Sequence, residues 1–74
     1  MPNIVITADA NLTTPLAVQL RIAEVKAERA RARLTCSDFA ARRLPSLAAP
    51  WRGKVAWMGR RIKALEERLA DMTA

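Results

Sequence analysis

The chain has 74 residues, 51% of them hydrophobic, and a formal charge of +6; it makes one domain at most, and at this length folding buries only roughly 60% of the surface the unfolded chain exposes. One cysteine, Cys36, and no histidine exclude an intramolecular disulfide, thiol or imidazole metal clusters and any histidine acid or base. The opening MPNIVITADA lacks a basic stretch and its apolar run ends after Ile6, so it reads as neither signal peptide nor anchor, and the expectation is a cytoplasmic chain without membrane insertion, cofactor or metal.

Residues 3–7, Asn-Ile-Val-Ile-Thr, read as a short strand, because consecutive β-branched side chains suit a pleated surface. Residues 1–14 as a whole form an extended arm or strand ahead of a helical domain over 15–74. No second strand-like run follows, so the arm has to pair with a copy of itself, add to a partner's sheet edge, or stay extended.

A first helix is expected over about 15–34, with Thr14 as N-cap and Pro15 at the first helical position, where a missing N–H costs nothing. Its apolar residues fall on two faces. Leu16, Leu20, Ala23, Ala27, Ala30 and Leu34 share one, and Val18, Ile22 and Val25 lie opposite. A helix with two apolar faces needs two neighbours. Arg29, Arg31 and Arg33 sit well near its C-terminus, against the negative end of the dipole. Ser37 then reads as the cap of a short helix over 37–43, with Phe39 and Leu44 folding inward, and Pro45 and Pro50 bracket a kinked connector.

The last helix, expected over about 50–72, carries the clearest signal. Trp51, Val55, Met58, Ile62, Leu65, Leu69 and Met72 alternate spacings of four and three, an unbroken coiled-coil seam. It can receive the first helix or a copy of itself; in a parallel copy Arg61 would reach Glu66 across the seam. Gly53 and Gly59 weaken the isolated helix by roughly 1 kcal/mol each, so packing has to hold it.

Two sets of candidate contacts lie off this seam. Trp57, flanked by Gly53, Arg60, Arg61 and Ala64, has the composition of an interface anchor, a large aromatic ringed by small residues and arginines. Arg52, Lys54, Arg60, Arg61 and Lys63 form a run of cations uninterrupted by any acid and adjoin two tryptophans, which suits nucleic-acid phosphates. They flank the seam on both sides instead of forming one basic face, and solvated cations beside an apolar stripe are the ordinary case. The segment SDFAARRLPS is similar to the first half of a helix-turn-helix but has neither the glycine turn nor a recognition helix of normal length, and reads as a connector.

Met1-Pro2 followed by a strand and a helix resembles the opening of the tautomerase superfamily, whose small members use an exposed N-terminal proline as a base. The resemblance covers about fifteen residues and implies Pro2 as a catalytic base. That family supplies a second parallel strand where this chain has TCSDFAARRLP, which does not read as a strand. Without it no βαβ unit forms a pocket.

The fold expected is therefore mainly α: a small helical hairpin of two long helices joined by a short helix or kinked connector, behind a short N-terminal strand or arm. The function expected is a non-enzymatic protein–protein interaction module that homodimerises and binds a host or cognate protein with an acidic surface. Size and composition are those of phage or mobile-element proteins that inhibit or modulate a larger host assembly. A basic nucleic-acid-binding accessory protein is the alternative, and a tautomerase-like enzyme a distant one.

Overall fold

Thr14 and Pro15 start the first helix as their chemistry requires. In the computed structural model, which describes Asp9 and residues 11–74, Thr14 is extended (φ −117°, ψ 147°) and its Oγ1 accepts the Ala17 N–H at 3.2 Å, with Pro15 in the first turn. The strand expected over residues 3–7, and Pro2 with it, lie outside the described residues.

Helix α1 spans Pro15–Ala41 without interruption, so the break expected after Leu34 and the separate helix over 37–43 do not exist. The physical reason is twofold. No glycine or proline occurs between Pro15 and Pro45, and the polar residues that read as caps are accommodated inside the helix, Thr35 Oγ1 donating back to the Arg31 carbonyl at 3.1 Å. The inward row also continues past Leu34: Val18, Ile22, Val25, Arg29, Ala32, Cys36 and Phe39 keep the four-three spacing, and every one is buried or half-buried.

The turn is closed by two backbone bonds, Leu44 N–H to Phe39 O at 2.9 Å and Arg43 N–H to Ala40 O at 3.0 Å. This is the Schellman pattern, which needs a left-handed residue, usually glycine. Arg43 occupies it at φ 58°. Helix α2 then runs Pro45–Thr73, starting before Pro50 instead of at it. Pro45 takes the first helical position, and Pro50 inside the helix removes only the ladder bond to the Ser46 carbonyl. Tertiary contact offsets that loss: Ala48 is fully buried, and the Cys36 thiol donates to its carbonyl at 3.7 Å.

The core lies between the two helices. Val18, Ile22, Val25 and Ala32 of α1 form one cluster with Met58, Ile62 and Leu65 of α2, and Trp51, Val55, Leu69 and Met72 pack against it. The α2 seam is thus covered by α1 of the same chain. The other row of α1 is not covered: Leu16, Leu20 and Leu34 are 64%, 58% and 72% exposed, and Ala23, Ala27 and Ala30 between them are exposed as well.

A left-handed conformation costs a non-glycine residue roughly 1–2 kcal/mol, part of which glycine returns as unfolded-chain entropy. Arg43→Gly should therefore stabilise the hairpin by about 0.5–1 kcal/mol, a rise of several degrees in a thermal melt. Arg43→Ala, which faces the same backbone demand, should leave the melting temperature nearly unchanged.

Candidate interaction surfaces

Arg61 lies on the flank of the α2 seam, and the fold brings Asp9 to it from 52 residues away. The pairing is bidentate: Nε donates to Oδ2 at 2.8 Å and Nη2 to Oδ1 at 3.0 Å. Both residues are buried, at 7% and 3% exposure. The guanidinium stacks 5.7 Å from the Trp57 ring centroid. One heptad further on, Arg68 Nη2 donates to the Leu12 carbonyl at 2.6 Å, and Leu12 itself packs on the core. Two arginines seven residues apart share a helix face, so together they clamp the segment that leads into α1.

This arrangement gives Arg61 a different task from either one expected. Two of its five donors hold Asp9 and the residue is buried, so within the hairpin its charge is matched by the Asp9 carboxylate instead of standing free at the surface. Its pKa is raised, first by the hydrogen bond to Asp9 against an opposing effect of burial, then by the charges of Asp9, Glu28 and Glu24. A cation with a raised folded pKa contributes its full stabilisation at every pH below its ordinary range and loses it only above. Alkaline solution short of arginine deprotonation therefore leaves the clamp intact.

The remaining residues of the Trp57 group are split. Gly53 and Arg60 face solvent, whereas Trp57 and Ala64 are half-buried, and Trp57 packs on the core. Added bulk at Gly53 would meet open space. Of the five expected cations, Arg52, Lys54, Arg60 and Lys63 are exposed and Arg61 is withdrawn. Lys54 Nζ sits 4.8 Å from the Trp51 ring centroid.

Folding also gathers charge that the linear sequence spreads out. Arg29, Arg31, Arg33, Arg42, Arg43, Arg52, Lys54 and Arg60 all belong to the half of the hairpin near the turn, with Asp38 as the only acid between residues 29 and 60. Arg33 and Arg52 line one shallow groove with Cys36, Ser37 and Val55; Arg31 and Lys54 line another beside Trp51. The open half, which holds Asp9, Glu24, Glu28, Glu66, Glu67 and Asp71, balances its own cations.

The second surface is the outer row of α1, whose leucines stand in water along the side opposite α2. Sequence reasoning found this row but not which of the two α1 rows the hairpin would use. The signal was present: past Leu34 only the Val18 row meets a large apolar side chain, Phe39, while the other row continues with Ser37 and Ala41. Among the described residues no helix is long and apolar enough to cross a membrane. Comparison with protein-family models, curated proteins and solved structures finds no match.

Removing one partner of a buried ion pair leaves the other charge uncompensated, at a cost of roughly 3–5 kcal/mol. Asp9→Ala should destabilise by about 3 kcal/mol in urea denaturation, and the double variant Asp9→Leu/Arg61→Leu should recover most of it. An Asp9→Ala variant as stable as the parent would mean that the pair is solvated.

Proposed function

We propose that this chain is a small protein-binding module, not an enzyme, and that it docks through the outer face of α1. The exposure of Leu16, Leu20 and Leu34 on one row, with alanines between them, carries this reading. Isolated surface leucines are ordinary, but three in register along about 27 Å of helix form an apolar stripe of the kind that another helix covers. The lining also suits close approach, since alanines let a second backbone come near the lower end of the usual 8–10 Å interaxial distance. Such a module fits the role of modulating a larger assembly, and a partner that reaches past the stripe to the turn half of the hairpin would need an acidic surface.

Polar substitution on the stripe tests the face directly. Leu20→Glu/Leu34→Glu should abolish protein association while leaving helical circular dichroism unchanged and unfolding free energy within about 0.5 kcal/mol of the parent, as for ordinary surface changes. Unfolding of the double variant would show that these leucines serve the hairpin itself and would sink the docking face.

The charge collected near the turn favours a second reading, contact with nucleic-acid phosphates. If Arg31, Arg33, Arg52, Lys54 and Arg60 each neutralise one phosphate, the logarithm of the duplex-DNA binding constant should fall against log salt with a slope of about −4.5. Charge reversal at Arg52 and Arg60 should flatten it. Binding that ignores salt would eliminate this reading and leave the apolar stripe as the working surface.

A further inference from the structure

The geometry points to a second copy of this chain as the occupant of the outer α1 face, docked antiparallel across a two-fold axis near Glu28 and Arg29. The inference rests on the docking face proposed above and names what covers it. The outer row continues beyond Leu34 with the same spacing: Leu16, Leu20, Ala23, Ala27, Ala30, Leu34, Ser37 and Ala41, all exposed. A two-fold interface has to be self-complementary, with each position meeting a counterpart that meets it in return.

One antiparallel register meets that demand over the whole of α1. It sets Leu16 opposite Ala41 of the second copy, Leu20 opposite Ser37, Leu34 opposite Ala23, and Ala27 opposite Ala30. Every leucine then fills the space above a small residue, so the layers from Leu16 to Ala23 have similar volume and only the central Ala27–Ala30 layers, beside the two-fold axis, pair small with small. A parallel pair stacks leucine on leucine at 16, 20 and 34 and alanine on alanine between, which forces the helices apart at the ends and leaves a void in the middle.

Charge selects the same arrangement. In the antiparallel register Glu24 on the flank of the row faces Arg31 of the second copy, and the symmetry gives this pair twice. Among the described residues Glu24 makes one ion pair, an exposed contact to Arg21 at 3.6 Å, and both Glu24 and Arg31 are exposed, so a second copy can reach them. A parallel pair instead sets Lys26 against Arg31; it also sets Arg33 toward Asp38, but Asp38 is already paired with Arg42 at 3.3 Å, and the two basic turn halves then lie side by side. On the other flank the antiparallel register leaves Lys26 near Arg33 of the copy; Glu66 lines the same groove as Lys26 and offsets that charge. The two basic turn halves end at opposite poles, free to meet an acidic partner.

The stripe from Leu16 to Ala41 is about 38 Å long and about 10 Å wide, which places the interface below the standard size and among reversible associations. Sedimentation equilibrium from micromolar to millimolar chain should show the mass rising from 8.2 kDa toward twice that value. Ala27→Glu, at the centre of the face, should hold the chain at monomer mass with helical circular dichroism unchanged. Glu24→Arg and Arg31→Glu should each weaken association by about tenfold, the two together should restore it, and Lys26→Glu should strengthen it.

A parent chain that stays monomeric at every concentration overturns the second copy as occupant; the docking face then stands or falls on Leu20→Glu/Leu34→Glu. A chain that doubles in mass and ignores Ala27→Glu overturns both. Failure of the charge exchange to restore association overturns the antiparallel register.

Discussion

A hairpin of two helices has one internal interface, and everything else in this molecule follows from how that interface is used. The contact joins a four-three row on α1, Val18 to Phe39, to a four-three row on α2, Trp51 to Met72. Neither helix has a second neighbour within the chain among the described residues. Burial of a large apolar side chain is worth roughly 1.5–3 kcal/mol, so the molecule commits its bulkiest residues to this one seam. What α1 carries on its other side is left in water by construction.

The Asp9–Arg61 pair acts on geometry more than on net stability. Two desolvated charges return little free energy relative to an apolar pair, but they tolerate few alternative positions. Here the pair fixes where the chain arrives before α1, with Arg68 and Leu12 repeating the constraint one heptad along. Trp57 is absorbed into the same arrangement, half-covered and stacked on the arginine. A residue set that has the composition of a recognition hot spot therefore serves in large part to organise the protein's own interior.

Antiparallel folding converts a diffuse sequence property into a directional one. Cations near the end of α1 and cations near the start of α2 are brought onto the same half, while every acid but Asp38 remains at the other. The molecule extends 46 Å along its long axis, several Debye lengths at physiological ionic strength, so its two ends present distinct electrostatic surfaces to anything that approaches. An apolar stripe along the side and a basic cap at the turn are separable features, and a partner can engage one without the other.

The Thr14–Pro15 start, the α2 seam and the two-helix layout were legible from residue pattern alone, because capping and heptad spacing are local chemistry that any packing must respect. The continuity of α1 through Thr35 and Ser37, the inclusion of Pro50 within α2 and the left-handed Arg43 were not. Each is locally neutral or unfavourable: Thr35 is accommodated by bonding back to the Arg31 carbonyl, Arg43 by the two turn bonds to Ala40 and Phe39, and the Pro50 region by contact with the opposite helix through Cys36 on the Ala48 carbonyl. The choice between the Val18 row and the Leu16 row, and the withdrawal of Arg61 from the surface, likewise depended on residues far apart in the chain. Local preference cannot register an interaction whose partner is fifty residues away.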